Sequence, residues 1–100
     1  MIEQGITSIW GERSPLIGMI HLLPLPGSPG WSGRIGPVLE RARKDARALT
    51  ESGFDSLMVE NFSHVPFLRG SVPPHTVASI TASVLAVLNE TSLPVGVNVL

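Results

Sequence analysis

Cysteine is absent, so disulfides and thiolate metal ligands are excluded, and a reducing, cytoplasmic location is expected. Charge is scarce and balanced, with seven Lys and Arg against eight Asp and Glu for a formal net charge of −1. Polyanion binding needs clustered cations, so nucleic acid is not an expected partner. No uncharged apolar run approaches the ~18 residues that a membrane span requires. The opening stretch MIEQGITSIW carries Glu3 and lacks the basic and apolar regions of a secretory signal. Ile2 excludes N-myristoylation.

What the chain has is apolar substance, 43% of 100 residues, enough to build one core. Residues 16–22, nearly all apolar between Pro15 and Pro24, predict a strand buried on both faces. Pro37 suits the first turn of a helix, which Val38, Leu39, Ala42, Ala46 and Leu49 continue at helical spacing until Gly53 stops it. Residues 54–60 read as a second strand. Val77, Ile80, Val84, Val87 and Leu88 predict a second helix over 74–91, capped by Thr76 or a neighbour, and 95–100 form a third strand.

Strand, helix, strand, helix, strand in that order predicts an α/β protein with parallel pairing and right-handed crossovers. Both helix-to-strand joints are tight, near Ser52-Gly53 and Ser92-Leu93, whereas both strand-to-helix loops run to a dozen residues or more. Long loops at the carboxyl ends of parallel strands are where such folds place their sites. The third strand ends bare, and an unpaired strand-three edge predicts adventitious pairing or oligomerisation. The chain is therefore expected to be a single incomplete domain over residues 1–100, the first two and a half units of a TIM (β/α)8 barrel, a fold of roughly 250 residues.

The two-residue strand period brings one polar side chain per strand to a similar height: His21, Glu60 and Asn98, with Asn61 next door. His21 and Glu60 are the candidate catalytic acid and base, and Asn61 and Asn98 the candidate ligand-binding carboxamides. The plainer alternative is that the same groups hydrogen-bond rim backbone. Arg34 and Arg69, one in each long loop, are candidate partners for a carboxylate or phosphate, with a solvated surface position as the alternative.

His21, Glu60 and His64 are ligand types that zinc accepts, but their spacing is not diagnostic, and Leu23 replaces the second histidine of a His-x-His pair. No metal or cofactor is assigned. Gly27, Gly30, Gly33 and Gly36 recur every third residue, without the lysine of a Walker loop or the spacing of a dinucleotide fingerprint. They are expected to serve loop turns between Pro24, Pro26 and Pro29. Trp31, Phe62 and Phe67 suit a small core under the loops. The charges of the first helix, including Glu40 and Lys44 four apart, suit a solvated face.

The blocks IGMIHLLPLPGSPGW, ESGFDSLMVENF followed by VPF, and LPVGVNVL resemble the BtpA family, also called BtpA/SgcQ. The matching positions are His21, Pro24, Pro26, Gly27, Glu60, Asn61 and Asn98. The resemblance implies a TIM barrel whose sequence continues past the equivalent of Leu100. It also implies a link to photosystem I biogenesis or stability in oxygenic phototrophs, with peripheral thylakoid association there, and relatives outside phototrophs. A barrel resembling the ribulose-phosphate-binding group points to a phosphorylated small-molecule ligand. It carries no catalytic assignment.

Three readings follow. The first is a barrel acting in assembly or stability of a larger complex. The second is a barrel enzyme for a small phosphorylated or carbonyl metabolite, with His21 and Glu60 handling protons. The third is a segment with no independent activity.

Overall fold

The structure, a computed structural model, describes residues 14–61 and 73–100. Strand β1 (Ile17–His21), helix α1 (Gly36–Glu51), strand β2 (Ser56–Glu60), helix α2 (Pro74–Leu88) and strand β3 (Val95–Asn98) follow in that order. The strands pair in parallel in the order β1-β2-β3. The α/β class and the parallel βαβαβ unit are therefore as the sequence pattern predicts, an arrangement consistent with part of a β/α barrel.

Parallel neighbours need crossovers, and here both crossovers are helices that pack on the sheet and on each other. Ile20, Leu57 and Val59 from the sheet, Val38, Ala42 and Ala46 from α1, and Ile80 and Val87 from α2 form the buried core. Burial of such side chains is the main favourable term, about 1.5–3 kcal/mol for each large one.

Only one face of β1 is buried, where its continuous apolar character predicts two. Gly18 and Ile20 face the helices, whereas Ile17 and Met19 lie on the opposite face, each 44% exposed. Both helices occupy the same side, and no described element covers the other. That open face carries the polar strand ends.

Helix α1 begins at Gly36 with the expected Pro37 in its first turn, and Ser52 and Gly53 turn the chain into β2. Its charged face pairs Arg41 with Asp45 and Arg43 with Glu40. Glu40 thus meets Arg43 and Arg47 rather than the expected Lys44. Arg47 also reaches Glu90 across the helix pair at 3.2 Å.

Helix α2 departs further from expectation. Its N-cap position is Pro73 with no side-chain cap, and Thr76 sits fully buried in the first turn. The helix stops at Leu88 instead of 91, because Thr91 accepts hydrogen bonds from Leu93 N–H and Thr50 Oγ1 at the joint to β3. Its inward face is made of small side chains, Ser79, Ser83 and Ala86 among them, with Ile80 and Val87. Ser83 satisfies its hydroxyl locally on the Ser79 carbonyl at 2.9 Å. Small residues let α2 lie close to α1, and that rotation leaves Val77, Leu85 and Leu88 about half exposed. Of these, Val77 and Leu85 join Val97 and Val99 in bordering an apolar groove of about 270 Å3.

The β1–α1 loop is folded into the core by Leu22 and Leu25, which are buried, with Trp31 packed beside them. Successive turns form as Ser28 N–H bonds Leu25 O and Trp31 N–H bonds Ser28 O. Gly27 has φ +90°, and a Cβ there would stand 2.7 Å from His75 Nε2 at the start of α2. Glycine is thus required at this turn both for its backbone and for the loop's contact with α2. Phe62, His64, Phe67 and Arg69 lie outside the described residues.

Candidate functional site

The ladder pairs His21 with Glu60 and Glu60 with Asn98, so three adjacent strands present one polar side chain each at a single register. All three project to the open face, opposite the helices, because their neighbours Ile20 and Val59 take the buried side. Glu60 is the middle member. Its Oε1 lies 3.5 Å from His21 Nε2, and its Oε2 accepts a hydrogen bond from Asn98 Nδ2 at 2.7 Å. The Glu60 side chain is 13% exposed, against 45% for His21. A carboxylate this sheltered, held at both oxygens, is fixed in orientation, whereas the His21 side chain is close to half exposed. The Leu22 N–H to Glu60 O bond at 2.9 Å extends the ladder past His21 and steadies the strand ends.

Two residues toward the amino ends, on the same face, lie Met19, Met58 and Gly96. A Cβ on Gly96 would come within 3.0 Å of Met58 Cε and 3.1 Å of its sulfur, so Met58 lies across the space that glycine leaves. Two thioether side chains therefore form a soft apolar floor beneath the polar row. An isolated glycine inside a strand signals such a close approach, and Gly96 carried that signal in VGVNVL.

Asn61 stands apart from the row. The next residue after Glu60 faces the helix side, and Asn61 is fully buried there. Its Oδ1 accepts Leu100 N–H at 2.7 Å and its Nδ2 donates to Leu100 O at 3.3 Å. The carboxamide thereby imitates one more rung between the ends of β2 and β3. Arg34 is exposed on the β1–α1 loop, with its carbonyl accepting from Ser32 Oγ, and no described contact joins it to the row. Arg69 and His64 fall outside the described residues. On its outer flank His21 borders a cleft of about 300 Å3, shared with Met19, Leu49, Ala48 and the Arg41–Asp45 pair.

Chemically, a carboxylate against an imidazole can share and relay a proton, and a carboxamide beside them can hold a ligand hydroxyl or carbonyl. A parallel β/α unit with its polar groups gathered at the carboxyl ends of the strands defines the class of protein. The chain belongs to the BtpA family, whose model matches residues 12–100.

Among its relatives, an uncharacterized protein of Thermococcus kodakarensis is 53% identical over 89 residues, 89% of this chain and 34% of that protein. Photosystem I biogenesis protein BtpA of Synechocystis sp. is 45% identical over 88 residues, 88% of this chain and 31% of that protein. The putative sgc region protein SgcQ of Escherichia coli is 32% identical over 97 residues, 95% of this chain and 36% of that protein. The chain thus spans about a third of the length of the curated relatives it matches. No solved structure matches it. No helix of the described residues is long and apolar enough to cross a membrane.

Proposed function

We propose that the open-face row is one wall of a small-molecule site in a β/α barrel, and that His21 and Glu60 exchange a proton with the ligand held there. The observation that carries this reading is the position of Glu60, which touches His21 with one carboxylate oxygen and Asn98 with the other across three adjacent strands. Groups serving only strand pairing have no need to meet on the uncovered face. In this role Glu60 orients the His21 imidazole and takes up its positive charge when it gains a proton, and Asn98 keeps the carboxylate turned toward His21.

A second reading, assembly or stability of a membrane complex, is favoured by the Synechocystis relative named as a photosystem I biogenesis protein. It applies in a phototrophic host, where the protein would associate peripherally with the thylakoid. The two readings are compatible if the ligand site regulates the assembly role.

A thermal-shift screen with small hydroxy- and carbonyl metabolites and their phosphates tests the leading reading. At least one compound class is expected to stabilise the protein, and His21→Gln and Glu60→Gln are each expected to reduce the shift while circular dichroism stays unchanged. Stabilisation left at its full size by both substitutions would count against the row as the site. Co-fractionation with photosystem I, unaffected by either substitution and without any ligand response, would favour the second reading.

A further inference from the structure

Resting on the reading of the row as a ligand site, we propose that the ligand group in contact with it is uncharged: the hydroxyl or hydroxycarbonyl end of a small polyol-like compound. Any phosphate or carboxylate of that ligand lies away from His21, Glu60 and Asn98.

Asn98 sets the hydrogen-bonding pattern. One N–H of its carboxamide is given to Glu60 Oε2 at 2.7 Å. Its second N–H and its carbonyl oxygen, which no described donor reaches, point to a partner that both donates and accepts. A hydroxyl satisfies both, as does a hydroxyl beside a carbonyl. A carboxylate group, or the fully ionised phosphate of an ester, accepts only, and would leave the Asn98 oxygen against another oxygen.

Glu60 sets the charge. Its carboxylate is the centre of the row and is 13% exposed, so solvent screens it poorly and a second anion beside it is repelled. Arg41 borders the cleft on the far side of His21, but its Nε lies 3.4 Å from Asp45 Oδ1. The floor agrees with the class: Met19 and Met58, with Met58 lying over Gly96, offer a polarizable apolar surface to the carbon face of a small polyol.

The protein labelled at its methionine methyl groups provides the test. Met19 and Met58 signals are assigned with Met19→Leu and Met58→Leu, and then followed by NMR during titration with glycerol, dihydroxyacetone, glycolate and inorganic phosphate. The neutral probes are expected to shift both methyl signals saturably, and the anions to bind about tenfold or more weakly. Glu60→Gln keeps the shape but removes the charge, and is expected to shrink that preference to about threefold or less. Anions that bind as well as the neutral probes would overturn the uncharged class and leave the row standing as a site. A preference that persists in Glu60→Gln would overturn Glu60 as its cause. If no probe moves either methyl signal at tens of millimolar, the site reading itself falls, and this inference with it.

Discussion

Replacing Asn61 with alanine isolates what holds the ends of β2 and β3 together. The side chain is fully buried and makes two bonds to the Leu100 main chain, at 2.7 and 3.3 Å. The longer bond is at the weak end of the range, so most of the loss comes from the part-buried Leu100 N–H, left without its acceptor. The expected cost is about 2 kcal/mol, from the 1–3 kcal/mol penalty of an unsatisfied buried group. For a domain of this size that lowers Tm by about 8–16 °C. Asn61→Asp separates the two bonds, since it keeps the acceptor for Leu100 N–H but sets an oxygen against Leu100 O.

Burial and that oxygen raise the introduced carboxyl above its unfolded value of about 3.9. The folded state of the variant then binds more protons than the unfolded state, so its stability falls as pH rises above about 4. Urea unfolding at pH 4 and pH 7, with amide exchange at Leu100, reads both effects. A loss under about 0.5 kcal/mol for Asn61→Ala, or no pH dependence in Asn61→Asp, would refute the reasoning.

Gly27→Ala is expected to cost about 1–3 kcal/mol, because φ +90° strains any L side chain and the new Cβ meets His75. Adding His75→Ala should recover the steric part alone, which a double-mutant cycle in urea measures. Thr76→Val removes a fully buried hydroxyl that has no hydrogen-bond partner among the described residues, and is expected to stabilise the fold by about 1 kcal/mol in calorimetry. Val77→Ser with Leu85→Ser, both more than half exposed, should change stability by less than about 0.5 kcal/mol per site, while lowering any concentration-dependent association seen in analytical ultracentrifugation.

Much of the frame was readable because its signals are local. Pro15, Pro24, Pro37 and Gly53 punctuate apolar runs of distinct period, and tight helix-to-strand joints leave parallel pairing as the simple outcome. The row of His21, Glu60 and Asn98 followed from counting in twos along each strand. The same counting places Asn61 on the other face, so adjacency in sequence to Glu60 did not make it part of the row. Helix α2 was harder to orient because its period admits two faces. Hydropathy favours burying Val77 and Leu88, whereas close helix packing selects Ser79, Ser83 and Ala86. The Met58–Gly96 contact is a cross-strand fit, visible only once the register is known.

The central claim is that Glu60 joins His21 and Asn98 into one connected row. NMR of the Asn98 side-chain carboxamide tests it most directly. In the wild-type protein one of its two protons should lie downfield and exchange slowly, and Glu60→Ala should return it to the position of a solvated asparagine while also moving the His21 ring signals. The account is contradicted if the two Asn98 protons already resemble those of a free carboxamide and neither they nor the His21 signals respond to Glu60→Ala in a sheet whose backbone amides remain protected.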